Sequence, residues 1–162
     1  MVVDADALNI LSHDPALLKH AAGPRLLTPH PGEMERLFPR AGRTRRVWLE
    51  DFVGEYPVTL LLKGARTVVG TAEGPRYFNT TGHPGMASGG MGDVLTGIVA
   101  GWLGHLLDAE VACKLGVFLH GAAGDLAAAD EGQIALTASD VASRLGDAML
   151  DLGGRARRDA SD

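Results

Sequence analysis

A glycine-rich stretch that runs directly into an apolar segment constrains the fold of this chain more than any other feature. Residues 82–92 contain five glycines and one proline, and Asp93 follows them at the start of a predicted helix. Glycine lets backbone N–H groups approach a ligand closely, and a helix N-terminus presents unpaired N–H groups and a positive dipole. The stretch therefore predicts an anion-binding loop, in which Gly90, Met91 and Gly92 supply the N–H groups.

Asp93 is the only acidic residue of this stretch. A carboxylate repels an anion, but it can accept the proton of a hydroxyl group that attacks the anion. This chemistry predicts a catalytic base at Asp93. The alternative is a flexible surface loop in which Asp93 is only a helix N-cap.

Composition and charge limit the function classes. The 162 residues are 46% hydrophobic and 22% charged, which is typical of one globular domain. The net charge of −5 argues against a nucleic-acid-binding surface. Cys113, the single cysteine, can form neither an internal disulfide nor a cysteine metal cluster, and it is predicted to be a buried small hydrophobe of an intracellular protein. We find no secretory signal and expect no apolar run long enough to span a membrane.

Short strands and helices alternate along the first half of the chain. Residues 1–3 and 25–28 are predicted strands, and residues 58–62 form a nearly continuous apolar strand that should be buried on both faces. Two further strands, at 68–69 and 75–79, predict a β-meander. This order predicts a doubly wound α/β sheet whose ligands bind where the parallel strands end.

Three charged or titratable side chains lie at this edge together with the glycine loop. Asp4 follows the first strand, and the prolines on both sides of His30 fix its backbone, so His30 is a candidate ligand contact or a structural residue. Lys63 ends a buried strand and is followed by Gly64. This position predicts that Lys63 contacts phosphate, together with the Thr67 hydroxyl. The alternative is that Lys63 reaches solvent along its apolar stem.

The second half of the chain is predicted to be helical. Residues 94–107 should form a helix that is buried nearly all round, with its glycines packed against neighbouring elements. Residues 109–129 form a second helix, in which His120 is predicted to be a core residue. Its glycines indicate close helix–helix or helix–sheet approach; they are Gly116, Gly121 and Gly124.

The two ends of the chain differ from the rest. A capping sequence at residues 137–140 predicts a last helix, and residues 153–162 are predicted to be a disordered tail. The chain begins with a strand of the kind that is buried inside a parallel sheet, and no turn or helix precedes it. We therefore expect that part of a larger domain is absent.

Four segments in register resemble the ADP-dependent NAD(P)H-hydrate dehydratase family. They are residues 4–9 (DADALN), 27–33 (LTPHPGE), 62–67 (LKGART) and 85–95 (GMASGGMGDVL). The resemblance covers the chain to about residue 152. It implies that residues 1–152 are the C-terminal portion of a ribokinase-like doubly wound α/β domain.

The resemblance also implies roles for individual residues. His30 and Asp93 would contact the hydrated dinucleotide, and Asp93 would be the catalytic base. The adenine nucleotide would be bound by Lys63, Gly64, Ala65, Arg66, Thr67 and Gly92.

The implied reaction returns hydrated NADH and NADPH, (S)-NADHX and its phosphate analogue, to NADH and NADPH. ADP phosphorylates the ring hydroxyl, phosphate leaves, and the ring double bond re-forms. ADP is thus a co-substrate, and Mg²⁺ is implied by phosphoryl chemistry, although no dedicated metal ligands are visible. The resemblance further implies a cytoplasmic enzyme without nucleic-acid or membrane partners, either a homo-oligomer or joined to an N-terminal segment or an epimerase domain.

Two departures from the family pattern bear on these expectations. His83 stands where the family often has asparagine, and the family domain is longer at its N-terminus. We therefore expect the isolated chain to have an incomplete substrate site. The alternatives are a ribokinase-like small-molecule kinase, which would share the glycine loop and Asp93, and a non-catalytic remnant that binds nucleotide or a partner subunit without turnover.

Overall fold

The computed structural model describes residues 1–20, 22–39 and 44–159. These residues form two units, the first from residues 1–79 and 99–115 and the second from residues 80–98 and 116 onward. The strands are β1 (Val2–Val3), β2 (Leu26–Leu27), β3 (Thr59–Leu62), β4 (Val68–Gly70) and β5 (Tyr77–Phe78). The α-helices are α1 (Asp6–Leu11), α2 (Pro31–Leu37), α3 (Arg45–Glu55), α4 (Met91–Leu106), α5 (Ala109–Ala135), α6 (Ala138–Ser143) and α7 (Leu145–Asp159), and 3₁₀ turns lie at Pro15–His20 and Pro84–Met86.

The five strands form one sheet in the order β1-β2-β3-β4-β5. The first three are parallel, and the register pairs Val3 with Leu27 and Leu27 with Leu60. β4 and β5 are antiparallel to their neighbours. All four residues of β3 are buried, as its continuous apolar sequence predicts. The predicted mixed α/β class and the β-meander are therefore confirmed.

Aromatic side chains of α3 and its surroundings pack beside this sheet. The Phe38 ring meets the Phe52 ring edge to face, with 5.3 Å between the centroids, and Tyr56 lies 4.9 Å from Phe52. The Trp48 indole N–H donates to the Phe38 carbonyl at 2.8 Å. This contact satisfies the polar edge of a buried ring, so the cluster contributes apolar burial without an unpaired donor.

Helix α4 buries one narrow stripe, so the prediction of burial nearly all round is wrong. Met91, Leu95 and Val99 are buried, and they recur at four-residue spacing along one line of the helix. The glycines of this helix are also not packed as predicted. Among the described residues, no atom lies within 4 Å of a Cβ built at Gly97, Gly101 or Gly104. Glycine and alanine add little apolar area, so a helix rich in them can be apolar in composition and still expose most of its surface.

Helix α5 is long and apolar enough, by length and composition, to cross a membrane. This corrects the expectation that no run of the sequence is long enough. The buried core helix of a globular protein meets the same criterion, and 61% of the apolar window of α5 is buried within the protein. Gly132 has φ 77° and ψ 164°, so the backbone kinks near the end of this helix.

The structure places residues 153–159 in helix α7, where the sequence predicts a disordered tail. The paired glycines Gly153 and Gly154 weaken a helix, but alanine and arginine follow them, and both are strong helix formers. Residues 160–162 of the predicted tail lie outside the described residues.

Candidate functional site

Three charged side chains meet where the strands of the first unit end. Asp4 follows β1, Lys63 follows β3, and the Lys63 ammonium lies 2.8 Å from the Asp4 carboxylate. The Glu33 carboxylate lies 3.8 Å from the same ammonium. The three side chains are only 7–18% exposed. Lys63 is therefore a counter-ion shared by two nearly buried carboxylates, rather than a lysine that extends into solvent.

His30 caps the N-terminus of α2. Its Nδ1 accepts hydrogen bonds from the backbone N–H groups of Gly32 and Glu33, at 3.0 and 3.2 Å. The Glu33 carboxylate accepts the backbone N–H of His30 at 2.8 Å, which completes a capping box. The signal was present in the sequence, because glutamate stands three residues after His30. Glu33 therefore both closes the capping box and lies near the Lys63 ammonium.

The His30 ring is half exposed, with 51% of its side chain open to solvent. Since Nδ1 accepts from the helix, the proton of the neutral ring is on Nε2, which lies 3.5 Å from the second Glu33 oxygen. The prolines at 29 and 31 and the capping box hold this edge of the ring in place. The structure thus presents one imidazole N–H at a fixed position beside a buried carboxylate.

The turn after Lys63 is closed by its own residues. The Thr67 hydroxyl donates to the Gly64 carbonyl at 3.1 Å, and Thr67 is buried. The Arg45 guanidinium packs against Gly64, where any Cβ would overlap it. Arg45 also contacts the Arg66 carbonyl at 3.5 Å. Nothing in the local sequence links α3 to this turn, so the contact of Arg45 with Gly64 is not predictable from the sequence pattern.

The glycine loop of the second unit leads into α4 as predicted. Gly90 has φ 85°, a backbone conformation that favours glycine, and α4 begins at Met91. Asp93 lies in the first turn of α4, and its side chain is exposed. The N–H groups of the first helical turn have no acceptor within the helix, and the exposed Asp93 carboxylate belongs to the same turn.

His83 has a local structural role. Its Nδ1 accepts the backbone N–H of Gly85 at 3.2 Å and caps the turn Pro84–Met86. An asparagine side chain can accept the same bond, so the departure from the family pattern at this position preserves the cap.

His120 is buried as predicted, and it lies close to the start of α4. Its residue is 8% exposed, and its Nε2 has no hydrogen-bond partner among the described residues. Burial lowers the pKa of His120 to about 4, and a backbone hydrogen bond with Met91 acts in the opposite direction. His120 is therefore neutral in the folded protein near pH 7.

We expect this histidine to make the protein sensitive to acid. The unfolded chain takes up a proton at His120 near pH 6.5, whereas the folded chain resists it until about pH 4, so stability is full above pH 6.5 and falls between these values. The loss amounts to about 3 kcal/mol. Urea unfolding at pH 7 and pH 4.5 should show this loss in the native sequence and a smaller one in His120→Gln. Parallel pH profiles of the two proteins would contradict the assignment.

Cys113 is fully buried, and burial together with the nearby Glu110 carboxylate raises the pKa of its thiol far above the usual range. This agrees with the prediction of a small buried hydrophobe. Among the described residues, no group of three or more histidine, cysteine, aspartate or glutamate side chains could hold a metal ion. The described residues therefore do not form a protein cage for Mg²⁺.

The predicted site residues fall into two sets. In the first unit, the structure brings Asp4 and Lys63 together with Glu33 and the capping residue His30. In the second unit, Asp93 lies in the first turn of α4, the helix that begins after Gly90. Thr67, predicted to offer a hydroxyl to a ligand, instead donates it to the turn.

Comparisons with known proteins place these features in a family. The NAD(P)H-hydrate dehydratase family model matches residues 1–146. The bifunctional NAD(P)H-hydrate repair enzyme Nnr of Moorella thermoacetica is 52% identical over 147 residues, which are 86% of this chain and 27% of that protein. The ADP-dependent (S)-NAD(P)H-hydrate dehydratase of Neisseria meningitidis is 39% identical over 134 residues, 78% of this chain and 45% of that protein.

A solved structure shows the same fold. The ADP/ATP-dependent NAD(P)H-hydrate dehydratase of Bacillus subtilis, co-crystallised with ATP and Mg²⁺, superposes with a TM-score of 0.79 at 28% identity. The match covers 93% of this chain and 54% of that one. The chain thus has the ribokinase-like α/β fold, and it spans between about a quarter and a half of the length of the proteins it matches. It belongs to the NAD(P)H-hydrate dehydratase family.

Proposed function

We propose that this chain carries out the ADP-dependent dehydration of hydrated NADH and NADPH. The observation that carries the proposal is the exposed Asp93 carboxylate in the first turn of α4, directly after the positive-φ Gly90. A carboxylate in the same helical turn as unpaired N–H groups suits a reaction in which a hydroxyl attacks a phosphoryl group. The ADP-dependent relative from Neisseria meningitidis supports the choice of a dehydratase over a kinase.

The proposed reaction has two steps. Asp93 accepts the proton of the ring hydroxyl, whose oxygen forms a bond to the β-phosphorus of ADP while the bond to the AMP oxygen breaks. The phosphorylated ring then loses phosphate with its C–O electron pair and a neighbouring proton, and the ring double bond re-forms. Phosphate is a better leaving group than hydroxide, which explains why a dehydration uses a nucleotide.

We propose that the N–H groups of Gly90, Met91 and Gly92 stabilise the transferring phosphoryl group. They are fixed by the start of α4 and need no rearrangement when charge develops on the phosphoryl oxygens. We propose that His30 and Asp93 contact the hydrated dinucleotide. The half-exposed His30 ring can offer its Nε2–H to an acceptor, because Nδ1 already binds the helix.

We propose that residues 63–67 and Gly92 bind the adenine nucleotide, and that the cationic side chains near this turn have different roles. The two carboxylates beside Lys63 neutralise much of its charge, so Lys63 shapes the turn rather than attracting phosphate over a distance. Arg66 is exposed, and Arg45 packs on Gly64 with no carboxylate partner among the described residues. These two guanidinium groups are better placed to attract a phosphate.

We propose that Mg²⁺ arrives with the nucleotide, since Mg²⁺ commonly keeps its waters and binds substrate phosphates. No step above depends on it. We also propose a cytoplasmic location, and a companion N-terminal segment or epimerase domain. The bifunctional name of the Moorella thermoacetica relative and its greater length support the companion.

The test is a spectroscopic assay of the purified chain with hydrated NADH. We expect absorbance at the reduced-nicotinamide band to rise only when ADP and Mg²⁺ are present, with one AMP and one phosphate formed for each NADH. A phosphorylated dinucleotide without NADH would identify a kinase. ADP binding without turnover, also when a relative's N-terminal half-domain is added, would identify a non-catalytic nucleotide-binding protein.

A further inference from the structure

Residues 81–86, which include the first part of the glycine-rich stretch, lie directly against helix α5. The Thr81 hydroxyl donates to the Phe118 carbonyl of α5 at 2.9 Å. A Cβ built at Gly121 would lie 2.7 Å from the Thr81 carbonyl carbon, a contact that side chains do not make. Thr81 therefore rests on the bare backbone of α5. The sequence predicts a helix or a sheet at these glycines, and the structure places the irregular segment at Thr81 against Gly121 instead.

A second glycine, one turn further along α5, receives Met86. A Cβ built at Gly124 would overlap the Met86 sulfur and lie 2.7 Å from its Cε. The same sulfur is 3.5 Å from the backbone N–H of His83. Met86 thus fills the notch at Gly124 and ties it to the turn that His83 caps.

A carboxylate completes the contact. Asp125 accepts the backbone N–H of Gly82 at 3.0 Å, and Gly82 has φ 115°. Near the end of α5, the Gln133 carbonyl would be 2.6 Å from a Cβ at Gly85. The His120 side chain reaches the backbone of Met91. The segment is therefore held against α5 at several points before the chain enters α4.

We propose that Gly121, Gly124 and Asp125 are positioning residues for the anion-binding loop. They act through residues 81–86, whose docking on α5 sets the direction in which the chain enters Gly89–Gly90 and α4. Glycine is disfavoured inside a helix relative to alanine, but an alanine Cβ at Gly121 or Gly124 would collide with Thr81 or Met86. This inference rests on the proposed function for its purpose, but its structural content can be tested without turnover.

The first test uses amide hydrogen exchange of the full chain. Asp125→Ala removes the acceptor of the Gly82 N–H, and we expect exchange in residues 82–92 to rise about tenfold or more. Asp125→Asn keeps an acceptor oxygen and should remain close to the native rate. Asp151→Ala is the matched control, because Asp151 lines the same cavity of about 320 Å³ as Asp125 but bonds none of these N–H groups.

The second test adds a methyl group at Gly124 and then removes the Met86 side chain that it would meet. Gly124→Ala should displace Met86, speed exchange in the same residues and weaken ADP binding about tenfold. Gly124→Ala/Met86→Ala removes the colliding side chain, so it should recover most of both effects, whereas Met86→Ala alone supplies no collision. Urea unfolding of the same variants measures their stability. If the contact served stability alone, the double variant would not recover the ADP affinity that Gly124→Ala loses.

The outcomes separate this inference from the proposed function. If the native chain fails to bind ADP in calorimetry, the proposed function is wrong, while the exchange data still decide whether α5 holds the loop. If exchange in residues 82–92 is the same in Asp125→Ala, Asp125→Asn and the native chain, the positioning role is overturned. The same holds if Gly124→Ala/Met86→Ala is no closer to the native rate than Gly124→Ala.

Discussion

Replacement of Asp93 by asparagine is expected to lower ADP-dependent dehydration about 1000-fold. Asparagine has the same shape but cannot accept the hydroxyl proton. The Asp93 side chain is exposed, so its replacement should not alter packing. The affinity for ADP should be unchanged or higher, because one negative charge near the nucleotide phosphates is removed. Initial rates at saturating substrate, with ADP affinity from calorimetry, measure both effects.

The control for this variant is Asp147→Asn. Asp147 is also an exposed aspartate in the first turn of a helix, in this case α7, and it pairs with Arg144 at the surface. We expect its activity to match that of the native chain. A rate for Asp93→Asn within tenfold of the native rate would remove Asp93 from the role of base. A parallel loss of ADP binding would indicate a disturbed loop instead.

Replacement of Lys63 by methionine is expected to destabilise the protein by about 3 kcal/mol. Methionine fills similar space but leaves the Asp4 and Glu33 carboxylates, which are 10% and 7% exposed, without their shared cation. For a chain of this length, the midpoint of thermal unfolding should fall by roughly 6–12 °C. Unfolding followed by circular dichroism at pH 7 measures this change.

Lys63→Arg is the control for this prediction, since it keeps the positive charge. We expect it to retain most of the stability that Lys63→Met loses. If Lys63 were mainly a phosphate contact, Lys63→Met would weaken ADP binding and leave the unfolding temperature nearly unchanged. That result would contradict the role of Lys63 as a shared counter-ion.

The local motifs of this chain were predictable because they use short-range rules. The parallel sheet follows from apolar strands alternating with helices, and the start of α4 follows from the glycines before Asp93. The site residues at strand ends were predictable for the same reason, since parallel strands place their ends at one edge.

The partners of those residues were not predictable from local patterns. The pairing of Lys63 with Asp4 joins residues 59 positions apart, and the packing of Arg45 on Gly64 depends on how α3 lies beside the sheet. The burial of α4 is not predictable from its apolar composition, which does not say how many faces of a helix have neighbours. The bond from the Thr67 hydroxyl to the Gly64 carbonyl is likewise not visible in the sequence pattern.

The chemistry of the one cysteine gives this chain a practical advantage for spectroscopy. Because Cys113 is buried and its thiol pKa is raised far above the usual range, maleimide and methanethiosulfonate reagents should not modify it in the folded protein. A cysteine introduced at an exposed surface position would then be the sole labelling site without any background replacement. Fluorophores or spin labels attached there could follow the glycine loop in an otherwise native sequence.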